Sequence, residues 1–387
     1  MLNRIPALFA LCALVTLAGC ADEPYPDQAE ASPPGTPVEI DAAPTLSVGV
    51  VAGDSLEIFD RVVTPFVLPD GRLVVPLDGS RDIRVFTPDG DFAYRLGGPG
   101  EGPGEFLSLS AAWPRGDTIE AFDGELRRLT RFLPDGSVTT VPVPGGSFPD
   151  MSLGVGPLEE GWALGGVAAG GPGQRDRIEI HHFGRDGGHL GALGSAGGIV
   201  RYATAGFGGP EPLSPRSVFA SDGTRLYLGD TLEPLIRRVG PAGASAGEIA
   251  WEPTEALSVQ AALEQVIDRA VSRASADQRS VTRQRLEGAV VSTELSVFWD
   301  FLPDPEGFLW VQPYEPLTHA FALGGTYLGG TAGEGAWRVF AADGHNAGTI
   351  TIPAGLVVTQ IGPSAVVGIH RDDLGVESVR VHRLRRK

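Results

Sequence analysis

Lysine is almost missing from this chain. Of 30 basic residues only the last, Lys387, is lysine; 48 acidic residues outweigh them, for a formal net charge of −18 over 387 residues. So few cations exclude nucleic acid as a partner, because phosphate binding needs Lys and Arg gathered on one face. Cysteine is equally scarce. Cys12 and Cys20 both lie in the first twenty residues, so the body of the chain can form neither a disulfide nor a cysteine metal site and must be held by packing. A catalytic metal motif is missing too: there is no His-Glu-x-x-His pair. What is plentiful is glycine (54) and proline (32). Together they make about a fifth of the chain, against roughly 12% on average, yet without the period of collagen. With 42% hydrophobic residues there is ample material for a core.

Met1 to Arg4 carry a positive charge, and Ile5 to Ala18 are almost wholly apolar. That stretch is shorter than the ~20 residues that cross a bilayer but suits a secretory signal. It closes on Leu17-Ala18-Gly19-Cys20, which resembles the lipobox of bacterial lipoproteins. The resemblance implies a signal peptide over 1–19, cleavage before Cys20, and acylation of its sulfur and new amino group. Two or more acyl chains, at about 0.8 kcal/mol per buried methylene, hold a protein at a membrane essentially permanently. Ala21, in place of the aspartate that retains some lipoproteins at the inner membrane, leans the address towards the outer one. Residues 20–44 are then a lipidated tether. Six prolines, six acids and no basic residue predict an extended, disordered segment.

From about Leu46 onwards short apolar runs are punctuated by Gly, Asp and Pro, the signature of strands linked by hairpins. Two landmarks each occur six times. The first is a turn before an apolar strand: Asp70-Gly71, Arg115-Gly116, Glu160-Gly161, Asp222-Gly223, Glu306-Gly307 and Gly362-Pro363. The second is a strand ending at Phe86, Phe132, Phe183, Val239, Phe340 or His382, usually followed by another glycine turn. Gly71, Gly116 and Gly161 are evenly spaced at 45 residues. Repeats of about 40–50 residues with four short strands are β-propeller blades, each of which can cover its sheet only by stacking on its neighbours. The chain is therefore expected to be all-β, a six-bladed β-propeller over 45–387.

The stretch Arg81–Phe106, with Ile83-Arg84-Val85-Phe86, Pro88-Asp89-Gly90 and a glycine run at 97–104, resembles an NHL repeat. The end of the chain, from Trp337 to Leu384, is similar to the closing blade of six-bladed propeller lipoproteins of bacteria. The resemblance concerns blade construction and transfers no catalytic residue. The glycine run lacks the Lys and Ser/Thr of a phosphate loop and is read as an interblade connector.

The last blade shows only three strands, while Leu46–Val51 has no blade of its own, so Leu46–Val51 is expected to supply the missing fourth strand. Residues 253–297, between blades four and five, depart from the pattern. Leu257, Leu263, Val266, Ile267, Ala270 and Val271 largely follow helical spacing, and Ser275 and Gln278 have the spacing of a capping box for a second helix. This helical insert either packs on the ring or covers the channel as a lid or docking surface.

Seven histidines, at 181, 182, 189, 319, 345, 370 and 382, show no ligand spacing, and His181 and His182 point to opposite faces of a strand. Asp78, Asp123 and Asp230, each seven residues after a turn glycine, are read as turn-capping carboxylates. Arg216, Trp299 and Asp300 lead into innermost strands and are the candidate ligand-binding residues, with interblade hydrogen bonding as the competing explanation. No cofactor is expected. The chain is therefore read as a membrane-anchored binding module of the cell envelope for a protein, peptide or glycan. The alternative is a propeller hydrolase or lyase resembling the gluconolactonase-like or NHL type, with a divalent metal in the central channel.

Overall fold

The computed structural model describes residues 38–50, 56–143, 151–171, 174–204, 207–210, 212–253, 257–288, 293–320, 333, 335–372 and 374–386. The signal segment, Cys20 and most of the tether lie outside these residues. Six antiparallel sheets follow one another along the chain. Blade one comprises Phe66–Val67, Leu73–Leu77, Asp82–Phe86 and Phe92–Gly97; blade two, Leu109–Arg115, Thr118–Asp123, Arg128–Phe132 and Val138–Pro142. Blade three comprises Met151–Leu158, Gly161–Ala168, Arg175–Phe183 and His189–Thr204, with Phe207–Pro210 as a fifth strand. Blade four runs through Ser217–Ser221, Leu226–Asp230, Leu235–Val239 and Ser245–Ala250. Blade five runs through Phe298–Pro303, Leu309–Pro313, Gly335–Phe340 and Asn346–Ile352. Blade six takes Leu356–Ile361, Ala365–Arg371 and Glu377–Arg386, then Val38–Val48 from the start of the chain. The first strand of every blade lies against the first strand of the next, and that of blade six against that of blade one. The ring is closed: a six-bladed β-propeller.

Hydrophobic residues are consecutive in these strands because each sheet is covered on both faces. In Leu73–Leu77, Val74 packs towards blade two, while Leu73, Val75 and Leu77 pack towards blade six. Six apolar clusters result, one at each blade boundary. The recurring strand ends Phe86, Phe132, Phe183 and Phe340 are all buried in them. The turn glycines before the apolar strands of blades one to five are in the left-handed region. At Gly161 there is a second reason for glycine: a Cβ would stand 1.9 Å from the Phe183 carbonyl oxygen. The glycine run at 97–104 is an interblade connector, and the Arg128 guanidinium donates to the carbonyls of Glu101 and Gly102 within it and of Glu105 just after it.

Polar clamps cross the boundaries. Asp78 accepts from Leu109 N (2.9 Å), joining blades one and two. Between blades two and three, Arg115 donates to the Leu158 and Gly161 carbonyls and Arg131 to that of Arg185. The same two arginines flank Glu120. Burial works against the Glu120 carboxylate, but Arg115, then Trp113 and Arg131, outweigh it and hold its pKa below the usual range. Arg175 meets Asp230 across blades three and four (2.8 Å), and Arg386 meets Asp304 across blades five and six (2.9 Å).

The closing strand is longer than its sequence suggested. It pairs with Glu377–Arg386 from Val38↔Arg386 to Val48↔Val379, so residues 38–44 belong to the ring and not to the tether. An outermost strand pairs on one side only, so it tolerates Pro44 and largely exposed residues between two irregularities in the ladder. Val38 packs with Trp310 and Trp337 at the blade five–six boundary, and Val48 with Phe59 and Phe86 at the boundary of blades six and one. Deleting residues 38–48 removes both buried valines, at about 1.5–3 kcal/mol each, and strips the ladder from the last blade. The melting temperature should fall by on the order of 10 °C or more in a calorimetric scan; an unchanged melt would contradict closure by the chain ends.

Between blades four and five stand helices α1 (Val259–Arg273) and α2 (Arg279–Glu287), as expected of the insert. Ser258 caps α1 by accepting from Ala261 N. The capping box does not form: α2 opens at Arg279 after Gln278, which makes no side-chain cap and bonds Ser275 through the backbone alone.

Candidate functional site

The three sequence candidates come together at the boundary of blades four and five. Arg216 immediately precedes the first strand of blade four, while Trp299 and Asp300 lie near the start of that of blade five. The Arg216 guanidinium donates to the Trp299 carbonyl (2.7 Å), stands 3.6 Å from the Asp300 carboxylate and lies 3.8 Å from the centre of the Trp299 ring. Arg216, Trp299 and Asp300 are only 2%, 4% and 0% exposed. Asp300 also accepts from Phe301 N.

Sequence reasoning missed two partners of this cluster. Helix α3 (Pro316–His319) carries His319, whose ring stacks on the free face of Trp299 at 4.5 Å and 3°. The stack is thus guanidinium, indole, imidazole. Glu315 N donates to His319 Nδ1 (2.9 Å), which puts the ring proton on Nε2. Burial, and then the Arg216 charge, push the His319 pKa down to about 3. Tyr314 leans on both rings, and burial pushes its phenol up. Over this end lies the helical insert. Leu263, Val266, Ile267 and Leu286 of α1 and α2 share a cluster with Leu213 and Ala320, and Tyr314 packs against it. No local motif marks His319, because its partner Trp299 lies twenty residues back, on the first strand of the same blade.

Further along the same inner strands the axial channel widens into a cavity of about 290 Å³. All six blades line it, through residues such as Phe66, Trp113, Pro157, Phe219, Leu302 and Ile361. Its hydroxyl and amide groups are engaged with neighbouring strands. Thr64 exchanges bonds with Ala112, Thr359 donates to Pro65, Gln360 bonds both backbone groups of Val67, and Ser221 bonds the Pro157 carbonyl. Asp222 is the single ionisable residue among those lining the cavity, and it accepts from Thr224 N, Arg225 N and the Tyr227 hydroxyl. Burial and then Asp222 push the Tyr227 phenol up to about 12. This donor set does not suit a divalent metal, and among the described residues no group of three or more His, Cys, Asp or Glu side chains is placed to hold one. Asp123 and Asp230 cap backbone N–H groups of their own turns, as their spacing predicted, whereas Asp78 reaches the next blade.

No family model matches the chain, and no curated protein matches it. Among solved structures it is similar to a member of the DUF4221 family from Bacteroides vulgatus, at 10% identity and a TM-score of 0.49, over 91% of this chain and 99% of that one. A gluconolactonase from Xanthomonas campestris matches at 12% identity and 0.41, over 92% and 99%. Virginiamycin B lyase from Staphylococcus aureus matches at 10% and 0.39, over 90% and 99%. Likenesses this distant carry no argument about activity; the fold rests on the six sheets themselves.

Two measurements follow from the stack. Arg216→Met leaves the fully buried Asp300 without its cation, a loss of about 3–5 kcal/mol, and should lower the melting temperature by several degrees. A variant melting like the parent would show that the pair is no interblade clamp. The unfolded chain binds a proton at His319 near pH 6.5, whereas the folded chain resists it to about pH 3. Stability from this group is complete above pH ~6.5 and declines as pH falls towards 3, by about 2 kcal/mol at pH 5. His319→Phe keeps a ring on Trp299 and should flatten that part of the stability curve, measured by denaturant titration.

Proposed function

We propose that this chain is a lipoprotein of the bacterial cell envelope whose propeller is a binding module. Acylated Cys20 holds it at a membrane, and the axial cavity takes an uncharged, largely apolar segment of a protein or peptide. The observation that carries this reading is the cavity wall. Inner strands of five blades satisfy polar side chains on a neighbouring strand, and the wall leaves Pro, Phe, Ala, Trp, Leu and Ile facing the space. A glycan would need unsatisfied donors and acceptors there, and an anion would meet Asp222 within a chain of net charge −18.

The position of the closing strand agrees with this reading. Arg386, the partner of Val38, bonds the Gly362 and Pro363 carbonyls and pairs with Asp304 and Glu306. The neighbours Ile361, Pro303 and Pro305 line the cavity. The chain therefore enters the ring on the side to which the cavity belongs, and an anchor preceding Val38 would act from that side.

An uncharged fluorescent probe, N-phenylnaphthylamine, should bind saturably at one per chain. Ala220→Phe, placed to fill the cavity, should weaken it at least tenfold while circular dichroism stays unchanged. Equal binding by both proteins would remove the cavity as the site. Separately, Cys20→Ser should abolish labelling by an alkynyl fatty acid and release the protein from the membrane fraction; a parent chain without fatty acid would end the lipoprotein reading.

A further inference from the structure

His181 and His189 are eight residues apart in sequence, and a hairpin brings them together on blade three. His181 belongs to strand Arg175–Phe183, and His189 opens the next strand opposite Phe183. Nδ1 of His181 and Nε2 of His189 face each other at 3.0 Å, with ring centres 5.1 Å apart and planes at 47°. Two imidazole nitrogens on one tetrahedral cation, each at about 2.05 Å, stand roughly 3.3 Å apart. The hairpin thus holds the pair within a few tenths of an ångström of shared coordination.

A second observation points the same way. The Glu179 carboxylate lies 3.6 Å from Nε2 of His181, on the side of the ring away from His189. A carboxylate in that position favours the proton on Nε2 and leaves the Nδ1 lone pair turned towards His189, the arrangement that orients ligating histidines. Arg177 pairs with Glu179 at 2.5 Å and fixes it in turn. Phe183 packs 5.3 Å from the His189 ring, so the exposed histidine is supported as well. Solvent reaches the pair through His189, while His181 is buried against the sheet.

We propose that His181 and His189 form a binding site for a divalent first-row cation, copper or zinc, with water completing the coordination. Imidazole nitrogen suits both ions, and the chain's net charge of −18 raises the local concentration of either. Without the cation one hydrogen lies between the two nitrogens; with it, that hydrogen moves to Nδ1 of His189, and both imidazoles stay neutral while each facing lone pair takes the metal. The site lies on the third and fourth strands of its blade and is independent of the axial cavity.

The test uses the full-length chain in detergent micelles, purified without a polyhistidine tag and titrated calorimetrically with copper(II) and zinc(II) chloride in turn. One equivalent of each should bind, copper more tightly. His189→Ala, at an exposed position that leaves the fold intact, should weaken both at least tenfold. The copper complex should show electron paramagnetic resonance splitting from two imidazole nitrogens in the parent and one in the variant. Failure of the parent to take up metal saturably, or unchanged affinity in His189→Ala, overturns the proposal.

Discussion

Closure of the ring by strand Val38–Val48 is the constraint on which the rest of the molecule depends. No single blade can bury both faces of its sheet, so each apolar cluster is shared by two blades, and six blades need six shared boundaries. The closing strand feeds two of them at once, with Val38 on one side of the last blade and Val48 on the other. No cysteine follows Cys20, so no disulfide within the ring supplements it. A ring joined this way opens cooperatively or not at all, because losing one boundary exposes apolar surface on two sheets.

The near absence of lysine fits that construction. A guanidinium offers five donors in a rigid plane, whereas an ammonium is a compact point charge. Blade boundaries present clusters of turn carbonyls, and the fork matches them: Arg128 bonds the carbonyls of Glu101, Gly102 and Glu105, while Arg115 bonds two and also reaches Glu120. Arg216 goes further, satisfying a carbonyl, a carboxylate and an aromatic face from a buried position. Lysine could replace one of these contacts but not the set.

The fold was legible because its signals are local and repeated. Gly71, Gly116, Gly223 and Gly307 announce hairpins by backbone geometry, and Phe86, Phe132 and Phe340 mark strand ends by burial. The closing strand was placed in the right sheet but begun too late, since Pro44 and its acidic neighbours read as tether until an outermost strand with one free edge accommodates them. Helix α2 starts where packing of Leu286 sets it and not where Ser275 would cap it. At the candidate site, Arg216, Trp299 and Asp300 were found by position in the blade, but His319 could not be. Its contact with Trp299 joins an inner strand to a connector twenty residues on, and no spacing encodes that crossing.

The same closure explains where chemistry can and cannot reside. Inner strands must bond each other around the axis, so Thr64, Thr359, Gln360 and Ser221 spend their polar groups on neighbouring backbone. What remains is a channel apolar by construction, suited to recognition and short of free nucleophiles or ligands. Outer strands carry no such obligation, because only one side of the last strand is paired and its side chains meet water. A histidine there keeps a nitrogen available, as His189 does, while a buried histidine such as His319, stacked on the Trp299 indole and near the Arg216 charge, is held neutral. Reactive groups in this ring are accordingly expected at its rim, and shape selection at its axis.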